Sequence, residues 1–189
     1  MKPFRNYNEL AQKLYDSCVI SDPWIDGKER FSLEPLVLSN ALYKKLCDAS
    51  ERVGALYEEF SQIIWNHPNF LDDYFTLTPY QKLMWLSSNG DWHGIARLDL
   101  FIVEDGSIQI CEMNSDTPSG EAEAVLLNKI FEEQYPSLKN PNKSFDEKFC
   151  SMILELYSSN ICELKKPSIG IVYPTEMPED LSMITLYEK

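Results

Sequence analysis

The chain has 189 residues, 44% hydrophobic and 25% charged, a balance that excludes a disordered protein and supplies enough apolar residues for a core. Its net charge of −13 argues against nonspecific nucleic-acid or anionic-membrane binding, both of which need basic patches. No apolar run reaches membrane-spanning length, MKPFRNYNEL lacks a signal core, and the cysteines (Cys18, Cys47, Cys111, Cys150, Cys162) are dispersed as reduced thiols would be. The expected location is therefore cytoplasmic.

In chain order, Tyr7, Leu10, Ala11, Leu14, Tyr15 and Cys18 recur at helical spacing and predict a short amphipathic helix. Residues 21–35 read as irregular, with Asp22-Pro23 and Asp26-Gly27 as turn signals. A long helix is expected from Asn40 to Asn66, with Leu42, Leu46, Ala49, Val53, Leu56, Phe60, Ile63 and Ile64 in one stripe and His67-Pro68 as its stop. Thr78-Pro79 predicts the cap of a shorter helix that closes at Ser87-Ser88-Asn89-Gly90. None of these ninety residues suggests chemistry.

The chemistry gathers between Arg97 and Glu123. Asp105-Gly106 between two apolar runs predicts a hairpin with a type I′ turn, Glu104 facing Ser107. Asp99 then lies opposite Glu112 and Arg97 opposite Asn114, on one face of a largely buried hairpin. Phe101, Val103, Ile108 and Ile110 share that face, and Leu98, Leu100, Ile102, Cys111 and Met113 take the other. Facing carboxylates repel, and the more so as burial lowers the dielectric. A divalent cation between Asp99 and Glu112 turns repulsion into coordination. With the Asn114 amide oxygen, the set suits Mg²⁺ or Mn²⁺ and leaves positions for water or phosphate. From spacing alone the same residues also read as a solvated hairpin end, with Arg97 as the ion-pair partner of Asp99.

Turn residues 114–120 lead into a helix expected over Glu121 to Gln134, capped by Thr117 with Pro118 at its first position, or by Ser119. Such a helix start attracts phosphate and carboxylate groups. Asp116 suits a local turn bond, His93 a loop, and two separated histidines give no zinc pattern. A helix is expected from Phe145 to Cys162, then a buried strand over 168–173 and the start of a helix at Leu181. A strand followed by part of a helix is the opening of a βα repeat, so the chain is expected to be the front portion of a longer, truncated protein. An apolar patch left uncovered in this way is expected to drive self-association.

With RLDLF, the DG turn, CEMNSDTPSG and the EAE helix opening in place, the stretch from Trp92 to Phe131 resembles the glutathionylspermidine synthase-type, circularly permuted ATP-grasp ligases. The resemblance implies an ATP-dependent carboxylate–amine ligase, in which ATP phosphorylates a small carboxylate and an amine displaces the phosphate. It implies that Asp99, Glu112 and Asn114 hold Mg²⁺ against the ATP phosphates. Arg97 would stabilise the transferred phosphoryl group, and Thr117 and Ser119 would contact the acid. The lysines and lid that grip ATP in this family lie downstream of the metal strand, so these residues alone are not expected to catalyse.

The expected fold is α+β. Residues 1–90 form a helical N-terminal layer on a small antiparallel sheet, 91–165 the hairpin-plus-helix ATP-grasp-like region, and 166–189 the start of an α/β segment. A noncatalytic binding or scaffold module derived from such a ligase is the rival reading. A metal-dependent hydrolase, with one water activated between Asp99 and Glu112, is the third.

Overall fold

The computed structural model describes residues 4–92, 95–115, 118–160 and 168–189. Its first elements are α1 (Tyr7–Ser17), β1 (Trp24–Ile25), β2 (Lys28–Glu29), α2 (Asn40–Asn66), α3 (Phe70–Asp73) and α4 (Pro79–Ser87). They are followed by β3 (Ala96–Ile102), β4 (Ile108–Ser115), α5 (Glu121–Gln134), α6 (Phe145–Asn160) and α7 (Pro178–Glu188). Helices and two antiparallel strand pairs make this an α+β protein. Among the described residues, no helix is long and apolar enough to cross a membrane.

The chain divides into two compact units, Met1–Val37 with Ser119–Lys189, and Leu38–Pro118. This grouping differs from the regions 1–90, 91–165 and 166–189, because residues distant in sequence share the first core. There, Tyr7, Leu10, Ala11 and Leu14 of α1 pack with Val19 and Ile20, Ala122 and Ile130 of α5, and Met183 of α7. The helical spacing that predicts α1 is thus its buried stripe, and Asn6 caps it by accepting from the Glu9 N–H. Tyr15 and Cys18 fall outside that stripe and are exposed.

Residues 21–35 are more ordered than their sequence suggests. Asp26 (φ 49°) and Gly27 (φ 73°) form a two-residue turn with positive φ at both positions, and it pairs Trp24 with Glu29 and Ile25 with Lys28. The Tyr7 hydroxyl anchors this hairpin to α1. It donates to the Pro23 carbonyl and accepts from the Arg30 and Phe31 N–H groups at 3.0 and 3.1 Å. Arg30 then reaches Asp22 at 2.7 Å and Glu123 of α5 at 2.6 Å.

The expected buried strand over 168–173 is corrected. Residues 168–174 form no strand or helix, and Ile169 and Val172 are 63% and 100% exposed. An apolar run becomes a strand only when another backbone satisfies its N–H and C=O groups, and among the described residues none pairs with it. The final helix starts at Pro178, three residues before Leu181.

In the second unit, α2 spans the expected residues, with Ser39 as its cap. Of the predicted stripe, only Val53 and Ile64 are buried, and Leu56 is 62% exposed. The Trp92 ring stacks on Tyr57 of α2 and lies over Gly54. Gly90 (φ 77°) rests on the Trp65 ring so closely that a Cβ there would clash at 2.9 Å. Its carbonyl accepts from Gln62. Thr78 and Gln81 form a reciprocal capping box at the start of α4, as Thr78-Pro79 predicts.

Candidate metal and phosphate site

β3 and β4 place Asp99 opposite Glu112 and Arg97 opposite Asn114, the pairing expected from sequence. The route to that register differs. The Gly106 N–H bonds to the Val103 carbonyl at 2.8 Å, and the Val103 N–H to the Ser107 carbonyl at 3.1 Å. Only Gly106 (φ 77°) has positive φ. The turn is therefore a type I bend over Glu104 and Asp105, completed by Gly106 in the left-handed region, not the expected type I′ turn. Asp105 locks it by accepting the Ser107 N–H at 2.8 Å, a bond that holds its carboxyl below the usual carboxylate range.

This longer turn offsets the register by one residue, so Leu100 pairs with Ile110, Phe101 with Gln109 and Ile102 with Ile108. An irregularity between Asp99 and Leu100 then leaves Cys111 as an extra residue and restores the Asp99–Glu112 pair. Ile108 and Ile110, expected beside the carboxylates, instead join Leu98, Leu100 and Ile102 on the apolar face. Gln109 takes the carboxylate face with Phe101. The signal was present in the sequence: polar residues at 109, 112 and 114 break strict alternation once, at the bulge.

The four side chains touch. Arg97 Nε donates to Asp99 Oδ1 at 3.0 Å, and Asn114 Nδ2 reaches Asp99 Oδ2 at 3.4 Å and Glu112 Oε1 at 3.1 Å. The hairpin is not largely buried as expected. The Arg97 and Asp99 side chains are 45% and 39% exposed, as are Phe101 (60%), Ile102 (49%) and Ile110 (53%). Solvent therefore weakens the repulsion between the carboxylates, and the exposed Arg97–Asp99 pair contributes only about 0–1 kcal/mol. Ser115, next to Asn114, accepts from Trp92 Nε1 at 3.4 Å, which links the site end of the hairpin to the tryptophan packed on α2.

The helix after the hairpin begins at Glu121 as expected, but its N-cap is Gly120 (φ 97°), which has no side chain to accept a bond. Ser119 is thus not the cap: it lies one residue too early and belongs to the first unit. Thr117, Asp116, His93 and Cys162 lie outside the described residues. Among the described residues, no three His, Cys, Asp or Glu side chains cluster as a metal site. Among the described residues, the Asn114 amide stands beside the two carboxylates. The donor set fits a hard cation: two carboxylate oxygens already converge on one point, and an amide beside them carries an oxygen at its other end. Comparison of the chain with family models, curated proteins and solved structures returns no significant match.

Proposed function

We propose that the hairpin is the Mg²⁺/ATP-phosphate element of an ATP-grasp-type ligase joining a carboxylate to an amine through an acyl phosphate. The observation that carries this reading is the convergence of Asp99 Oδ2 and Glu112 Oε1 on a single nitrogen, with Arg97 alongside. Asp99, Glu112 and Asn114 would hold Mg²⁺ or Mn²⁺, which neutralises phosphate charge when bound. Arg97 would face the phosphoryl group in transfer, since this chemistry depends on positioning and charge neutralisation. Thr117 and Ser119 would contact the acid from the stretch before α5. ATP and a small carboxylate–amine pair are the substrates, and we place the reaction in the cytosol on the dispersed thiols.

Phosphate release from ATP with Mg²⁺ by the full-length protein, in the presence of mixed carboxylates and amines, tests the assignment. Release should require all components and should vanish in Glu112→Gln. Unchanged turnover in that variant would remove the assignment, and turnover without nucleotide would favour the hydrolase reading. The self-contained bonding of the cluster favours the second reading, a noncatalytic binding or scaffold module in which Arg97 pairs with Asp99 and the Asn114 amide bridges the two acids.

A further inference from the structure

We propose that residues 168–173 pair with the same residues of a second copy of this chain, as antiparallel strands related by a two-fold axis at Ile171. The exposed apolar run is then one half of a symmetric interface, and its partner is the protein itself.

The backbone of the run is open to a partner. Residues 168–173 are exposed throughout, and among the described residues no other backbone bonds to their N–H and C=O groups. None of the six has positive φ, Gly170 included, so nothing obstructs an extended conformation. Ile169, Ile171, Val172 and Tyr173 are strand-forming residues. Pro167 and Pro174 bracket them in the sequence, and a residue without an N–H ends a ladder there. The net charge of −13 opposes association in general, but these six residues carry no charge.

Register and charge select a second copy. With Ile171 facing the partner's Ile171, Ile169 faces the partner's Tyr173, an aromatic against a β-branched residue on the same face of the pair. Gly170 faces the partner's Val172, with space to spare: a Cβ at Gly170 meets nothing within 4 Å, and Val172 is fully exposed. Further out, Glu176 faces the partner's Lys166, and symmetry makes that ion pair twice. Lys166 lies outside the described residues and enters through its place in the sequence alone. Glu176 is exposed, and among the described residues its carboxylate accepts only from the neighbouring Thr175 hydroxyl, at 3.2 Å. A two-fold axis requires one residue to face itself, so the adjacent registers centre on Gly170 or Val172. Both set Lys166 against a proline, Pro174 or Pro178, and lose the two ion pairs. Each copy uses the same edge, so the assembly closes at two chains. Six residues a side bury less than the ~1,200 Å² of a standard interface, which makes the pair weak and concentration-dependent.

Sedimentation equilibrium of the full-length protein over a concentration series tests this. The parent should fit a monomer–dimer equilibrium with no larger species. Lys166→Glu and Glu176→Lys should each raise the dimer Kd about tenfold, because both ion pairs become like-charge contacts. An equimolar mixture of the two variants should regain parental association, since each chain then meets the opposite charge at both positions. Lys165→Glu, the same change of charge one residue away, should weaken the dimer far less. Gly170→Val, which adds strand propensity in open space, should tighten it about threefold or more while Tm measured at monomer concentrations stays parental. A protein that is monomeric at every concentration, or that forms larger species in place of a dimer, overturns the proposal. A mixture of the two charge variants that associates no better than either alone overturns it as well.

Discussion

Arg30 holds the first unit together through charge as well as packing. It sits 4.8 Å over the Phe31 ring and pairs with Asp22 and Glu123, and its side chain and that of Glu123 are only 14% and 13% exposed. Truncating one partner leaves the other buried and uncompensated, a larger effect than the worth of the pair itself. Arg30→Ala should destabilise the protein by about 3 kcal/mol in urea unfolding, and Arg30→Met with Glu123→Leu should recover most of that loss. Nearby, burial raises the Glu121 carboxyl above its usual range, against the smaller opposite effect of the Tyr187 hydroxyl at 2.9 Å. An acid raised in the folded state favours folding below its unfolded pKa, and that contribution is lost as pH rises through the folded value. Glu121→Gln should therefore be more stable than the parent near neutral pH, by less than about 1 kcal/mol because solvent screens a half-buried charge. The difference should fade in acid, as thermal melts across pH would show. Tyr187 is raised in turn, by burial first and then by Glu121, while its ring stacks 4.5 Å from Phe149.

The β3–β4 hairpin shows two irregularities that offset each other. The turn through Gly106 adds one residue to the count and the bulge at Cys111 absorbs it, so the carboxylates still meet. What requires the bulge is patterning: without it, Glu112 and Asn114 would join Leu98 and Leu100 on the apolar face. Deleting Cys111 should consequently keep Asp99 opposite Glu112 in a regular ladder, with cross-strand nuclear Overhauser contacts between these two residues preserved. Loss of those contacts would show that the bulge does more than correct the count. The same dipeptide behaves differently at Asp26-Gly27, where both residues take positive φ and close a two-residue turn. An Asp-Gly pair announces a bend, but the strands on either side choose its type.

Across the whole molecule, apolar surface is plentiful. Ile169, Ile171, Val172 and Tyr173 form an exposed run with high strand propensity and no ladder partner among the described residues. Such a run is a template for pairing with another chain. Self-association measured by light scattering should increase with concentration, and Ile171→Lys with Val172→Lys should suppress it without lowering Tm. A monomeric parent at high concentration would contradict this. The same run borders an apolar cavity of about 1070 Å³ whose walls include Val125, Phe149, Ile153 and Leu186, so its exposure leaves part of the first core open.

Local periodicity and cap chemistry by themselves determined most of the helices: α1, α2, α4 and α5 follow from stripes, Ser39, Thr78-Pro79 and the run after Gly120. They also pointed to which four side chains meet, although the expected two-residue turn would bring them together without the bulge that the hairpin uses. Tertiary structure alone decided the rest. It placed α1, α5 and α7 in one core and left 168–174 without a ladder partner among the described residues. Those outcomes depend on partners distant in the chain, and short-range spacing carries no information about which backbone will be there to pair.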